Sequence, residues 1–185
     1  MKNLALVAAL GLSLCITAWA LAKSAKPAPG APAPGTATTP GIYTSTTYCF
    51  SMEPPQFDAL PQNKGQQVAL FSGPPSDSFA PSVNVLVTQG HVSFDAIVKA
   101  SVTGYEQAGF KIISQKPTKI GEHSAQLIEF TGNVNGKEVH DMALLAVSQD
   151  RFVVVTCTAA ASQFEAVKDR YLACLESFKF TDAKP

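Results

Sequence analysis

The chain has 185 residues, 46% of them hydrophobic and 15% charged, with 14 basic and 14 acidic side chains. Charged residues make up roughly a quarter of an average soluble protein, so this is a charge-poor globular composition of a length that suits one domain. A formal charge of zero with no Lys/Arg-rich run excludes an electrostatic case for nucleic acid or an anionic membrane surface as partner.

Residues 1–22 read as a signal peptide. Met1-Lys2-Asn3 is a short basic start, and Leu4 to Ala22 is almost wholly apolar. Ala18-Trp19-Ala20 and Ala20-Leu21-Ala22 both fit the small-x-small rule for signal peptidase. An uncleaved anchor is the rival reading, because about 19 apolar residues just span a hydrocarbon core of ~30 Å. Either way the chain is expected to be exported, to the periplasm or the extracellular space. Residues 23–41, rich in Pro, Ala, Gly and Thr, read as a semi-extended linker or a disordered tail. Residues 42–181 form the single folded domain.

Ile42 to Phe50 is rich in aromatic and β-branched residues and is stopped at Glu53-Pro54-Pro55; it fits one strand or two short ones. Strands are also expected over Gln67–Phe71, stopped by Gly73-Pro74-Pro75, and over Val83–Val87, left at Gly90. From Ser93 to Ala108 the period changes: Phe94, Ile97, Val98, Val102 and Tyr105 recur at helical intervals, with Gly109 placed as a C-cap. Phe110 to Gln115 returns to strand, with Pro117 expected to end it.

Ile120 to Phe180 is the most informative stretch: three strands and a closing helix. Asn135-Gly136 is the strongest two-residue hairpin signal available. It places Leu127 opposite Leu144, Ile128 opposite Ala143 and Phe130 opposite Asp141. A second tight turn at Gln149-Asp150 then sets Leu144 against Val155 and Met142 against Cys157. Side-chain alternation collects Ala125, Leu127, Met142, Leu144, Ala146, Val153, Val155 and Cys157 on one face. Ile128, Phe130, Ala143, Leu145, Val147, Phe152 and Val154 fall on the other. Two apolar faces require cover on both sides, and the two helices are the obvious covers. Ser162 with Glu165 reads as a capping box, and Phe164, Val167, Tyr171, Cys174 and Phe178 stripe the last helix. The expected class is α+β, an antiparallel β-sheet sandwiched between helices.

This order of elements, from about Tyr43 to Phe180, resembles the PsbP-like superfamily. That group includes thylakoid-lumenal PsbP domains, DcrB-type envelope proteins and LpqN-type lipoproteins. The landmarks are Pro81-Ser82-Val83-Asn84-Val85 and the Glu176-Ser177-Phe178 ending. The family's common Pro-x-Gly-Trp near the first strands is missing; Glu53-Pro54-Pro55 stands there. The resemblance implies an α/β/α sandwich and a usually non-enzymatic accessory, assembly or binding role.

Three cysteines remain once Cys15 leaves with the signal: Cys49, Cys157 and Cys174. An odd count in an exported protein suggests one disulfide and one thiol, or an intermolecular bond. Cys157 lies about 16 Å of strand before the last helix and Cys174 about 18 Å inside it, at ~3.3 and ~1.5 Å per residue. A helix folding back along the strand therefore brings them level. A bond needs Cα atoms within ~7 Å, against a helix–sheet spacing of ~10 Å. A Cys157–Cys174 bridge, a bridge from Cys49 to either, and buried reduced thiols all stay open.

In the derived register His140 lies opposite Thr131 and His123 opposite Ser148, so these two histidines share no site within the hairpin. His140 is diagonal to Glu129, which suits an ion pair better than a metal. Gly-x-Ser-x-Gly, HExxH, CxxC and a phosphate-cradling glycine loop are all absent, and Ser72 to Asp77 reads as a turn. No catalytic residue, metal or cofactor is expected. The expected partner is an envelope protein, bound across the Glu53–Gln66 or Gly73–Pro81 loops or along a sheet edge. The alternative is a small-ligand carrier or enzyme with a pocket between helix and sheet. A membrane is expected only through an uncleaved N-terminal anchor.

Overall fold

The computed structural model describes residues 36–39, 41–59, 67–76, 79–91, 93–148 and 150–181. The expected signal segment, most of the expected linker, Val92, Gln149 and parts of both proline-bounded loops lie outside them.

The elements run β1 (Thr36–Thr39), β2 (Ile42–Ser45), β3 (Phe50–Met52), β4 (Asp58–Ala59), β5 (Gln67–Ser72), β6 (Ser82–Gln89), α1 (Phe94–Gln107), β7 (Lys111–Ile120), β8 (His123–Val134), β9 (Lys137–Ser148), β10 (Arg151–Ala160), α2 (Phe164–Glu176) and β11 (Lys179–Phe180). They make a seven-stranded antiparallel sheet ordered β4-β5-β6-β10-β9-β8-β7 and a four-stranded sheet ordered β1-β2-β3-β11.

The hairpin logic holds residue by residue. Asn135 and Gly136 both take positive φ, 52° and 81°, as a type I′ loop demands. Leu127 pairs with Leu144, Ile128 with Ala143 and Phe130 with Asp141. Across the next turn Leu144 pairs with Val155 and Met142 with Cys157. The two faces follow from that register. Ala125, Met142, Leu144, Ala146, Val153, Val155 and Cys157 cluster with Phe164, Val167, Tyr171, Cys174 and Leu175 of α2. Ile128, Phe130, Ala143, Leu145, Phe152 and Val154 cluster with Ile97 and Tyr105 of α1. The architecture is mostly antiparallel β-sheet with two helices.

Three local expectations are corrected. Pro117 does not end β7, which runs on to Ile120 with Pro117 paired to Gln126. β7 is an edge strand, where the missing proline N–H faces no neighbour. The capping box does not form: a 3₁₀ turn at Ala161–Gln163 precedes α2, and its N-cap Gln163 makes no side-chain cap hydrogen bond. For Ile42 to Phe50, where one strand or two short ones stood open, the structure has two, parted by a turn in which Cys49 takes φ 50°. Thr36–Thr39, expected in the linker, pairs with β2. Helix α1 is as read, with Ser93 accepting from the Ala96 N–H as N-cap and Gly109 at φ 83° just beyond its end.

Candidate functional site

Cys49, Cys157 and Cys174 are all buried and all free. The strand and helix arithmetic does bring Cys157 and Cys174 together: the two thiols lie within hydrogen-bond reach of each other. They stand as two thiols and not as a bond. Burial, then the Cys174 thiol, pushes the Cys157 thiol well up, so it is a poor nucleophile. Cys49 lies apart in the turn before β3, its thiol donating to the Thr46 carbonyl at 3.5 Å.

The hairpin histidines are separate. His140 Nε2 is 2.8 Å from Glu129 Oε1, and its ring stacks on Phe164 at 3.5 Å between centroids. Lys168 on α2 stands 3.7 Å from the same carboxylate oxygen. This group ties the start of α2 to β8 and β9. His123 Nε2 is 3.4 Å from Ser148 Oγ, with Phe180 edge-on at 5.0 Å. His91 is exposed after β6. Among the described residues no group of three or more His, Cys, Asp or Glu is placed to hold a metal.

Two polar residues emerge that residue-type searching passed over. Asp141 is 3% exposed and accepts from Thr158 Oγ1 on the neighbouring strand. Burial raises its carboxyl to about 7, against the lowering effect of the Thr158 bond. Its signal was present in the pairing, since an aspartate set opposite Phe130 on an apolar face has nowhere wet to go. Tyr171 bonds the Thr158 carbonyl at 2.6 Å, and burial first, then Cys157 and Asp141, pushes its phenol upward. Arg151 is the second. Its side chain is 12% exposed, and Nη1 donates to the Tyr48 carbonyl at 2.8 Å. That contact joins positions 103 apart in sequence, so no local pattern announces it.

The proline-bounded loops are partly packed down. Pro55 and Pro81 are buried, and Ser177 Oγ accepts from the Glu53 N–H at 2.8 Å. Gly73 donates to the Pro81 carbonyl at 2.8 Å, and a Cβ at Gly73 would meet the Phe57 ring at 2.7 Å. Phe79 packs with Val134, Val139 and Ala160. Residues 60–66 and 77–78 lie outside the described residues.

This geometry defines a class: an antiparallel sheet with two helices, two-sided packing and scattered polar pairs. Solved structures place it more closely. LpqN from Mycobacterium tuberculosis, described as involved in cell envelope biogenesis, superposes with a TM-score of 0.60 at 14% identity, over 72% of this chain and 83% of that one. The cyanobacterial PsbP (CyanoP) of Synechocystis sp. PCC 6803 gives 0.60 at 12% identity, over 84% and 98%. PA94 from Pseudomonas aeruginosa, a protein of unknown function described as a putative regulator, gives 0.55 at 17%, over 68% and 90%. The fold is PsbP-like. No family model matches the sequence, and no curated protein matches it.

Proposed function

We propose that the chain is an exported, non-catalytic accessory or assembly domain of the cell envelope that works by binding a protein partner. The sheet with its two helices is read here as the α/β/α sandwich of PsbP-like proteins. The observation that carries the reading is the separation of His123 and His140. One is engaged by Ser148 and the other by Glu129 and Phe164, so the two histidines share no site among the described residues. The envelope role printed for LpqN supports the cellular setting, and the apolar start of the sequence supports export.

The test is affinity capture from native envelope with residues 23–41 retained. A protein partner recovered in stoichiometric yield is the expected result. No protein partner, together with a tightly bound small molecule in the purified chain, overturns the reading.

A further inference from the structure

Arg151 opens β10 and pairs with Gln89 on β6 and Ser148 on β9. By strand alternation it shares a face with Val153 and Val155, the face that α2 covers. Ser148, 4% exposed, falls on that face too, and reaches His123 on β8. A guanidinium, a hydroxyl and an imidazole thus stand in a row across three adjacent strands at one end of the sheet.

The charge of Arg151 is poorly matched. The Tyr48 carbonyl takes one N–H but cancels no charge. The one carboxylate in ion-pair range among the described residues is Asp150, 3.9 Å from Nε and 55% exposed. Nε itself is buried without a hydrogen-bond partner. Holding a guanidinium largely out of water is unfavourable unless an anion answers it. The structure nevertheless holds it in place. The Thr46–Cys49 turn adopts positive φ at Cys49, uncommon for a non-glycine residue, and so presents the Tyr48 carbonyl. The Thr181 N–H ties the far side of that turn by donating to the Cys49 carbonyl at 2.9 Å.

We propose that Arg151, His123 and Ser148 form a binding site for a single oxyanion group, a carboxylate or a phosphate, where the end of the large sheet meets the Thr46–Cys49 turn. A planar guanidinium fork matches either group with two parallel charge-assisted bonds. Ser148 and His123 supply further hydrogen bonds from the neighbouring strands. The site is independent of the accessory-domain reading, because a free anion and an acidic side chain of a bound protein would satisfy it alike.

The experiment titrates the full chain with sodium phosphate and, separately, sodium acetate, at constant ionic strength set by sodium chloride. The thermal midpoint and the Arg151 Nε–H and His123 ring resonances are followed. The expected result is saturable binding of at least one anion, with Kd on the order of 1–10 mM. Arg151→Gln is expected to weaken it about tenfold or more by removing the charged fork. Arg151→Lys keeps the charge without the fork, and is expected to lose several-fold. His123→Ala and Ser148→Ala carry the test should either arginine variant fail to fold, each with a several-fold loss. Binding of acetate alone assigns a carboxylate, and of phosphate alone a phosphate. No saturable response to either anion overturns the proposal, as does unchanged binding in the folded variants.

Discussion

The two faces of the large sheet are built on different terms. The α2 face is a continuous apolar mass: α2 buries Phe164, Val167, Tyr171, Cys174 and Leu175, and Phe50, Met52 and Phe178 extend the same cluster toward the small sheet. The α1 face is thinner. Helix α1 buries Ile97, Gly104 and Tyr105 over a smaller cluster, and strand alternation puts Asp141, Thr156, Asn84 and Gln67 on the same side. All four are buried, and Gln67 Nε2 donates to Asn84 Oδ1 at 2.7 Å. The α2 face is therefore the stability half of the molecule. Its polar groups are pushed to the ends of the strands, where His140 and Arg151 sit, while the α1 face carries its polar groups within.

That contrast is most directly broken by truncation on the α2 face. Phe164→Ala removes a fully buried ring and the stack under His140, and is expected to cost about 3–5 kcal/mol in urea unfolding. A loss no larger than that of Val102→Ala on the half-buried flank of α1 would contradict the division.

Asp141 sharpens it through pH. Its folded carboxyl is raised to about 7 from 3.8, so between those values the native state holds a proton that the unfolded chain releases. The contribution of Asp141 to stability is therefore fully present below about pH 4, is lost as pH rises to about 7 and stays lost above it. The groups that bear on Asp141 are Thr158 beside it, with Cys157 and Tyr171 on the α2 side. Asp141→Asn is expected to flatten this slope and to stabilise the protein by about 2 kcal/mol at pH 8, with little effect at pH 3.5. Chemical denaturation across that range measures both, and an unchanged slope would remove Asp141 from the account.

Gly132 probes the rim of the α1 face. A Cβ there would run into the Phe110 ring, which packs edge-on against Phe130. Gly132→Ala is expected to destabilise by about 1–3 kcal/mol. The double variant with Phe110→Leu should recover part of that in the same assay.

The smallest expected effect belongs to the clamp at the start of α2. Glu129 is 15% exposed and is approached by both His140 and Lys168. Glu129→Gln is expected to cost about 1 kcal/mol or less, and part of that should disappear in high salt. Salt-independent loss would mean that packing against Phe164, and not charge, holds the corner.

What the sequence determined by itself was the local and the periodic. Asn135-Gly136 dictated the register that carried Leu127–Leu144, and the second turn at Gln149-Asp150 carried Met142–Cys157; a two-residue turn leaves no freedom of alignment, and alternation then assigns the faces. Both helices were legible from their stripes. Other features depended on partners distant in the chain. The small sheet gains its fourth strand because Phe180 returns to Phe50, a pairing that no window of sequence contains. β7 continues through Pro117 because it lies at an edge, which is a fact of strand order. The α2 cap failed because a 3₁₀ turn took up Ser162. That Cys157 and Cys174 meet depends on how α2 lies on the sheet, which spacing alone left open. Arg151 became a candidate site only when the turn at Cys49 folded over it. The residues of Ile120–Phe180 were readable because their contacts are near neighbours in the chain; the chemistry at their ends was not, because tertiary closure supplies it.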